Sequence, residues 1–386
     1  MEVRKLYYED CMLQTFTARV VDCREVGKGC EIILDATAFY PEGGGQACDL
    51  GTLGDSKVLA VYETEETVIH LCDRPLPVGA EVTGTIDWER RFDQMQQHAG
   101  EHILSGLLHQ KYGCHNVGFH VGKEVMEIDF DTPIPPEELA QLEAKANEIV
   151  WQDIPLHCYY PAREELEKLS YRSKRALQWP VRIVEVPGTD VCACCGVHVA
   201  RTGQIGLIKV LSCVKFHQGV RIELVCGKRA YEYLSRIYEQ NRKVSQLFSA
   251  KLPETAAAAK RVQEQLGAEK ARAAALEKQL FAAVAERYAG KGDVFHVAPE
   301  LTAAATRELA DRIAAGCGGV AAVISGTDGS CNVCLICKDG DVSALGKAMT
   351  QSLGGRGGGR NGSFQGSLQA TCRQIEEFFV SRSFCR

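Results

Sequence analysis

The sequence predicts an α+β protein in four parts: a β-barrel-like amino-terminal domain, an α+β domain with a cysteine–histidine cluster, a helical hairpin arm and a small α/β domain. Three observations support this. β-rich runs separated by glycines fill the first 86 residues, strands and helices alternate over 88–227, and the pattern is almost wholly helical from 231 to 288. We place the parts at 1–86, 87–229, 230–289 and 290–386.

Composition points to a globular protein. The 386 residues are 45% hydrophobic and 24% charged, which is ordinary for a protein that folds in water. We find no apolar run long enough for a membrane span, and the start MEVRKLYYEDC lacks the apolar segment of a signal peptide. We therefore expect a cytoplasmic location without membrane association. Eighteen cysteines in such a chain predict reduced thiols or metal ligands rather than disulfides.

Charge is unevenly distributed along the chain. The formal net charge of −6 argues against bulk, non-specific binding of nucleic acid. Residues 236–290, however, hold ten Lys or Arg against six Asp or Glu. A local basic surface therefore remains compatible with the acidic balance of the whole chain.

The amino-terminal domain is predicted from its short strands. Glycine-rich segments such as PEGGGQ and LGTLGDS separate them, as turns separate the strands of small barrels. The predicted strands are TARVVDC, CEIILDATAF, VLAVYE and TVIHLC.

The second domain begins with a helix near Trp88, because apolar residues then recur at largely helical spacing up to Leu108. A second helix follows the prolines before residue 137, with Pro136 in its first turn. Strands are predicted around these helices, in GFHVGKEVMEIDFD, WPVRIVEV and GLIKVLSCVKFHQGVRIELVCG. One α+β domain is the simplest arrangement of these elements.

The arm is predicted as two helices interrupted at Pro253. The second helix carries a narrow heptad-like apolar stripe, which favours a coiled coil. The alternative is a helix that packs only on its own domain. The stripe includes Val262, Leu266, Ala273, Leu276, Leu280 and Ala283. After the arm, strand-like and helical runs alternate again and predict the small α/β domain.

Two half-motifs predict a metal site. His98 and His102 are four residues apart on the predicted helix, so both imidazoles can reach one ion. In CCGVH, Cys194 and His198 are also four apart, and three imidazoles with one thiolate suit Zn²⁺ better than Mg²⁺ or Ca²⁺. Spacing leaves Cys195 open as the alternative thiolate, with Cys192 a weaker candidate. Taken alone, the His98–His102 pair is more simply interpreted as two surface histidines. Taken alone, the cysteine cluster is more simply interpreted as buried thiols.

Neighbouring charges on the same helix receive weaker predictions. Glu101 precedes the second histidine instead of following the first, so the zinc-protease motif HExxH is not matched. Its position around the helix predicts that it points away from the ion. Arg91 and Asp93 could orient a ligand, but a solvated helix face is the simpler interpretation.

These motifs resemble those of a known family. The HxxxH and CxxxH pair resembles the editing domain of alanyl-tRNA synthetase and of its free-standing AlaX-type relatives. FYPEGGGQACDLG resembles the family's glycine-rich loop ending in Gln, and GVRIELVCGKRA resembles the segment after the CxxxH. SLGGRGGGRNGSFQGS resembles the signature of the synthetase's DHHA1-type carboxy-terminal domain. The resemblance covers nearly the whole chain without aminoacylation motifs, which is the pattern of the long free-standing form.

The resemblance implies a function. It implies hydrolysis of the ester of mischarged tRNA(Ala), carrying serine and possibly glycine, by an editing domain at 87–229 that holds one Zn²⁺. It places Gln46 at the editing pocket, as the catalytic-site partner of the substrate's serine hydroxyl or as the residue that orients water. Thr37, on the strand before that loop, could line the same pocket. The family loop is usually CGGTH, so Val197 replaces a threonine and any polar role of that hydroxyl is lost.

The resemblance also implies contact with tRNA. A DHHA1-like domain at 290–386 would bind tRNA and, with the arm, form a homodimer. Arg356 and Arg360 lie among glycines that would let phosphates approach, although a flexible loop is the alternative. Arg221, Lys228 and Arg229 could contact the acceptor end.

Two other functions stay open. A tRNA-binding protein with a structural zinc would leave mischarged tRNA intact. A zinc hydrolase acting on a different ester or amide would have no use for the basic arm or the glycine-rich tail.

Overall fold

The computed structural model describes residues 3–27, 29–64, 67–173, 177 and 179–386. The chain divides into two compact units, Met1–Lys243 and Val244–Arg386. The first unit contains the barrel and the α+β region, and the second contains a 33-residue helix, Thr255–Arg287, and the terminal α/β region. The mixed α+β class is confirmed. Among the described residues, no helix combines the length and apolarity that crossing a bilayer requires.

The first unit begins with a closed six-stranded barrel in the order β2-β3-β7-β6-β5-β8. Its barrel-like fold was predicted, and side chains alternate inward and outward as period two requires: Cys30, Ile32 and Leu34 of β3 are buried. A short parallel pair, β1 with β4, lies outside the barrel strands. The elements are β1 (Arg4–Lys5), α1 (Leu6–Glu9), β2 (Thr15–Val26), β3 (Gly29–Leu34), β4 (Ala36–Thr37), β5 (Gly51–Leu53), β6 (Ser56–Glu63), β7 (Val68–Cys72) and β8 (Glu81–Ile86).

Two antiparallel sheets and a central helix complete the first unit. The sheets have the strand orders β14-β15-β10-β9 and β11-β12-β13. The elements are α2 (Trp88–Tyr112), β9 (Asn116–Val121), β10 (Met126–Phe130), α3 (Pro136–Trp151), β11 (His157–Tyr159), α4 (Arg163–Leu166), β12 (Ile183–Val186), β13 (Asp190–Ala193), β14 (Ile208–Phe216), β15 (Gly219–Cys226) and α5 (Gly227–Leu247), whose last residues belong to the second unit.

Helix α2 is the central element of this region. The Asp87 side chain accepts a hydrogen bond from the Arg90 N–H at its start, and Gly113 ends it in the left-handed conformation with φ of 64°. Every residue from Gln94 to Leu108 is buried. The helix packs on α3, β13 and β15, so polar side chains in its middle face protein rather than water.

Arg91 corrects the expectation of a solvated helix face. Its side chain is fully buried, and Nε lies 2.9 Å from both carboxylate oxygens of Asp49. Nη2 donates to the Ala38 carbonyl at 2.5 Å, and Asp49 accepts the Tyr40 N–H at 2.6 Å. Since a buried charge must be paired, this ion pair fixes the glycine-rich segment between β4 and β5 against α2.

The second unit contains a five-stranded sheet in the order β16-β17-β18-β20-β19. Strands β16 and β17 are parallel, the other neighbours are antiparallel, and α7 packs on the sheet. The predicted alternation of strands and helices is therefore present, with β19 at an edge. The elements are α6 (Thr255–Arg287), β16 (Gly292–Val297), α7 (Ala303–Cys317), β17 (Gly318–Thr327), β18 (Ser330–Ile336), α8 (Ser343–Leu353), β19 (Gly355–Arg360), β20 (Ser363–Leu368) and α9 (Cys372–Val380).

Candidate metal centre

The four predicted ligands meet at one point of the first unit. The ligand atoms of His98, His102, Cys194 and His198 all lie within 4.8 Å of one another. Helix α2 supplies the first two, whose rings stack with centroids 5.4 Å apart. The segment that follows β13 supplies the other two, with Cys194 Sγ 3.4 Å from His98 Nε2 and 3.7 Å from His198 Nε2.

The chemistry of this set fits a zinc ion. Imidazole nitrogens and a thiolate sulfur are ligands that Zn²⁺ prefers, and four of them meet the number that a closed zinc site takes. Nε2 of His102 is buried and has no hydrogen-bond partner among the described residues, and such an atom destabilises the fold unless something binds it. Burial lowers the pKa of His198 well below its usual value, so the imidazole is neutral, the form that binds metal. Burial raises the pKa of the Cys194 thiol well above its usual value, and a bound cation would reverse this effect.

Gln46 orients His98. Its Oε1 lies 2.8 Å from His98 Nδ1 and accepts the Val197 N–H at 3.3 Å. Because a backbone N–H can only donate, the atom between them is the amide oxygen, and Nδ1 must carry the proton. In the neutral imidazole, Nε2 of His98 is then unprotonated, and it lies 3.4 Å from Cys194 Sγ. Gln46 is thus a neighbour of a candidate ligand, and it is not among the residues that line the adjoining cleft.

Asp190 orients His102 in the same way. Its Oδ2 lies 2.8 Å from His102 Nδ1, and Arg172 donates to both carboxylate oxygens at 2.7 Å. Burial opposes ionisation of Asp190, but the hydrogen bonds from His102 and Arg172 outweigh it and hold its pKa below the usual value. An ionised carboxylate on Nδ1 fixes the tautomer that presents Nε2 to a metal.

The loop after β13 is held from both sides. Arg182 donates to the carbonyls of Cys194 and Gly196, each at 2.9 Å, and the Tyr8 hydroxyl donates to the Cys195 carbonyl at 2.7 Å. Gly196 lies so close to His98 that a Cβ atom there would be 2.2 Å from the ring carbon Cε1. The glycine of CCGVH therefore permits the approach of the loop to the helix.

Geometry favours Cys194 as the thiolate. Cys195 is exposed, and a Cβ on Gly44 would lie 3.1 Å from its sulfur, so this side chain is directed toward the glycine-rich loop. Cys192 forms a second group of possible ligands with His102 and Asp190. Because Arg172 already binds Asp190 through both oxygens, the first group is the better metal site.

The glycine-rich loop makes a tight turn beside this centre. Gly43 and Gln46 exchange backbone hydrogen bonds of 3.1 and 3.0 Å, and the two residues between them, Gly44 and Gly45, have φ of 60° and 86°. Such angles at both central positions favour glycine strongly. The turn brings Gln46 to His98 and brings Gly44 and Gly45 to the edge of the cleft.

A cleft of about 650 Å³ opens on the candidate metal centre. This volume lies within the range of ligand-binding pockets. The described residues that line it come from α1, the glycine-rich loop, α2, β9, the segment after β11 and the segments around β12 and β13. They include His98, Glu101, His102, Phe119, Tyr8, Tyr160, Arg172, Arg182, Cys194 and Cys195.

Glu101 is not among the candidate ligands, as its position around the helix predicted, but it lines the cleft, where its Oε1 accepts from Ser105 at 2.7 Å and from Asn116 at 2.5 Å. The prediction for Thr37 is corrected, because it does not reach the cleft: its hydroxyl lies 2.8 Å from His70 Nε2 in the interior of the first unit, where both residues are fully buried. The strand before the loop turns this side chain inward.

Val197 lies in the apolar core. Its side chain is fully buried among the hydrophobic residues around α2 and is not among those that line the cleft. A hydroxyl at this position would thus enter the core, which explains why valine fits here. The departure from CGGTH leaves the backbone contact to Gln46 in place.

The predicted tRNA-contacting residues of the first unit are engaged within the protein. Arg221 donates to both oxygens of Asp129 at 2.7 and 2.8 Å and lies 3.1 Å from Glu127. Lys228 pairs with Glu89 and Glu232. Arg229 donates to both carboxylate oxygens of Asp93 at 2.8 and 2.6 Å and to the Gly122 carbonyl at 2.7 Å.

Arg356 and Arg360 are placed differently. Both lie on edge strand β19 of the second unit, and every residue of that strand is exposed. Because they are four residues apart on one strand, they share a face. The alternative of a flexible loop is therefore wrong: the segment is a strand with two arginines on the same side.

Sequence reasoning missed Asp190, Arg172, Arg182 and Tyr8. Asp190 lies four residues before Cys194, and a carboxylate close to a predicted ligand is a recognisable signal for a residue that orients a metal-binding histidine. The other three are distant in sequence from the motifs that they hold, and nothing local marks them. Their roles arise from the tertiary arrangement.

Comparison with known proteins gives consistent matches. Residues 181–238 match the family described as the threonyl and alanyl tRNA synthetase second additional domain, and residues 4–90 match class II (A) tRNA synthetases. The alanyl-tRNA editing protein Aarsd1-A of Xenopus laevis is 30% identical over 301 residues, covering 74% of this chain and 73% of that protein. The alanyl-tRNA editing protein AlaX-L of Pyrococcus horikoshii is 33% identical over 245 residues, covering 61% of each.

A longer relative matches as well. The alanine–tRNA ligase of Thermofilum pendens is 35% identical over 291 residues, covering 72% of this chain but 31% of the ligase. The chain therefore spans about a third of the length of that enzyme.

Proposed function

The chain belongs to the alanyl-tRNA editing family, and on that premise we propose that it is a trans-editing hydrolase that cleaves the ester bond of mischarged tRNA(Ala). The substrate is chiefly Ser-tRNA(Ala) and also Gly-tRNA(Ala). The observation that carries the proposal is the buried His98–His102–Cys194–His198 cluster at the wall of a cleft of about 650 Å³. Editing is useful because an apolar pocket rejects an analogue with one added hydroxyl poorly.

One Zn²⁺ per chain is part of the proposal. His98, His102, Cys194 and His198 would hold it, with Cys194 as thiolate. When bound, zinc supplies Lewis acidity that can polarise a carbonyl or lower the pKa of water. Gln46 and Asp190 act through the ligands: each fixes the protonation of a histidine Nδ1 and thus the direction of its Nε2.

The chain's own polar groups would recognise the aminoacyl ester. Glu101 lines the cleft and brings a negative charge to it, where the α-ammonium would lie, whereas Arg172 is already paired with Asp190. Gln46 is a positioning residue in this scheme rather than the partner of the serine hydroxyl. Thr37 has no part in it, because its hydroxyl is bonded to His70 away from the cleft.

The tRNA would be bound by the second unit. We propose a DHHA1-like role for residues 290–386 and a phosphate contact at Arg356 and Arg360, whose exposed side chains share one face of β19. The stripe of Val262, Leu266, Leu276 and Leu280 on α6 is exposed, which supports a homodimer through the arm. Arg221 and Lys228 would first have to leave their carboxylate partners to bind phosphates, so we assign them no primary role.

A second candidate follows from the closed ligand set. Four protein ligands leave no open position on a tetrahedral zinc, which is typical of structural sites. The chain would then bind tRNA(Ala) through the same surfaces and leave the ester intact.

Deacylation of Ser-tRNA(Ala), Gly-tRNA(Ala) and Ala-tRNA(Ala) by the wild type and by His98→Ala tests the proposal, with metal content measured on the same samples. We expect the wild type to remove serine, but not alanine, from the tRNA. In His98→Ala, this activity and the bound zinc should be lost together. A zinc-loaded wild type that binds tRNA(Ala) but leaves all three esters intact would establish the second candidate instead.

A further inference from the structure

We propose that Tyr160, supported by Tyr8, is a stacking platform for the terminal nucleobase of the tRNA at the mouth of the cleft. This deepens the proposed function, on which it rests, by assigning a subsite for the nucleoside beside the one for the aminoacyl group. Both tyrosines line the cleft that opens on the metal centre.

Tyr8 is a fixed support. Its hydroxyl donates to the Cys195 carbonyl at 2.7 Å, one residue after the candidate ligand Cys194. The guanidinium of Arg182 lies 4.6 Å from the centre of its ring, and that guanidinium is itself bound to the Cys194 and Gly196 carbonyls. The ring is therefore held at its hydroxyl and on one face by groups that also hold the candidate metal loop.

Tyr160 extends this support toward solvent. Its ring meets the Tyr8 ring edge-on, with centroids 6.5 Å apart and an angle of 73° between the planes. In contrast to Tyr8, it is 54% exposed. A large aromatic surface that lies in a cleft and yet faces water indicates a partner that covers it.

Further apolar side chains lie around the same opening. Val117 and Leu177 line the cleft and are 64% and 48% exposed. An aminoacyl group as small as serine does not need this exposed apolar rim, since it would lie at the polar wall near His98 and Glu101. In an aminoacyl-tRNA, the terminal ribose separates the ester from the base, so a base would reach outward from that wall.

The chemistry of stacking fits the rim. Every base has a π-face that stacks on an aromatic ring, and single-stranded nucleic acid ends are commonly bound in this way. The hydroxyl of Tyr160 is not required for stacking, so a phenylalanine at this position should still bind the base. An alanine has no ring and should not.

Binding of two amide analogues to the zinc-loaded protein tests the platform by calorimetry. One is 3′-deoxy-3′-(serylamino)adenosine, and the other is the same compound without its base. We expect Tyr160→Ala to weaken binding of the adenosine analogue by about tenfold or more. Tyr160→Phe should bind like the wild type, and the compound without a base should bind all three proteins alike.

Tyr231→Ala is the matched control, because Tyr231 is 70% exposed on α5 and does not line this cleft. It should bind both analogues normally. The platform is overturned if Tyr160→Ala binds the adenosine analogue within twofold of the wild type, or loses affinity for both analogues equally. Deacylation of Ser-tRNA(Ala) tests the proposed hydrolysis independently of this binding measurement. A protein that binds the adenosine analogue through Tyr160 but leaves Ser-tRNA(Ala) intact would have the platform and lack the activity.

Discussion

Nδ1 of His102 lies 2.8 Å from Oδ2 of Asp190, and Arg172 binds both oxygens of the same carboxylate at 2.7 Å. The three side chains form a hydrogen-bonded series that starts at Arg172, continues through Asp190 of β13 and ends at His102, whose Nε2 would bind the ion. His98 has a different support, the neutral amide of Gln46. The two histidines of one helix turn are thus oriented by groups of different charge, and the His102 side depends on an ionised carboxylate.

Asp190→Asn should therefore lower zinc affinity. The amide is a weaker acceptor for the His102 Nδ1–H and leaves Arg172 without its charge partner, and loss of such an orienting group typically costs 10- to 100-fold in metal affinity. Competition with a chromophoric chelator measures the change. Asp131→Asn is the control, since Asp131 makes a similar contact of 3.1 Å to the exposed His115 away from the centre. Equal affinities for wild type and Asp190→Asn would contradict the role given to the carboxylate.

The identity of the thiolate can be decided by comparing two neighbours. Cys194→Ser should reduce zinc content to well below one per chain, because a hydroxyl is a poor zinc ligand compared with a thiolate. Cys195→Ser should retain the metal, since its exposed sulfur lies beside Gly44 and not among the histidines. Metal analysis of both purified variants checks this. Loss of zinc in Cys195→Ser with retention in Cys194→Ser would reverse the assignment.

Gly196→Ala should disturb the centre without altering any ligand. The added Cβ would lie 2.2 Å from His98 Cε1 and 2.4 Å from Nδ1, so the loop or the ring has to move. Overpacking of this kind costs about 1–3 kcal/mol in stability, and here it should also lower zinc affinity. Thermal unfolding with and without zinc reports both effects. Gly316→Ala, where a Cβ would meet nothing within 4 Å, should leave both unchanged or slightly improved.

Much of this site could be predicted from local patterns. The i, i+4 spacing identified His98 and His102, and Cys194 and His198 followed from their equal spacing in a glycine-containing loop. Strand runs identified the barrel, although the pairing order β2-β3-β7-β6-β5-β8 depends on contacts between distant residues and is not encoded in any one run.

The predictions that failed concern the direction of single side chains. Thr37 lies on the strand that leads into the loop. A strand sends alternate residues to opposite faces, and a single sequence does not say which face meets the cleft. Arg91 carries a charge on a helix and so predicts a solvated face, whereas α2 is covered on nearly every side and the charge is neutralised by Asp49. In both cases tertiary packing decided the outcome.

Arg91→Met should destabilise the first unit strongly. It leaves the Asp49 carboxylate buried without its charge partner, and breaking a buried pair by removing one member typically costs about 3–5 kcal/mol. Urea unfolding at neutral pH measures the loss. Arg4→Met is the control, because the Arg4–Glu9 pair has the same chemistry but is exposed, and it should change stability little. A stable Arg91→Met protein would mean that the ion pair does not hold the glycine-rich segment to α2.

Replacing Arg356 and Arg360 together by alanine should weaken tRNA binding and reduce its salt dependence. Both side chains are exposed on β19, and a Cβ at Gly358 between them would meet nothing within 4 Å, so a phosphate backbone has room to approach. Each phosphate contact that is lost lowers the slope of log K against log salt by about one, so we expect a reduction of about two. Titrations at several salt concentrations measure it. Arg373→Ala should keep the wild-type slope, because Arg373 is already paired with Glu377 at 3.0 Å. An unchanged slope in the double variant would place the phosphate contacts elsewhere.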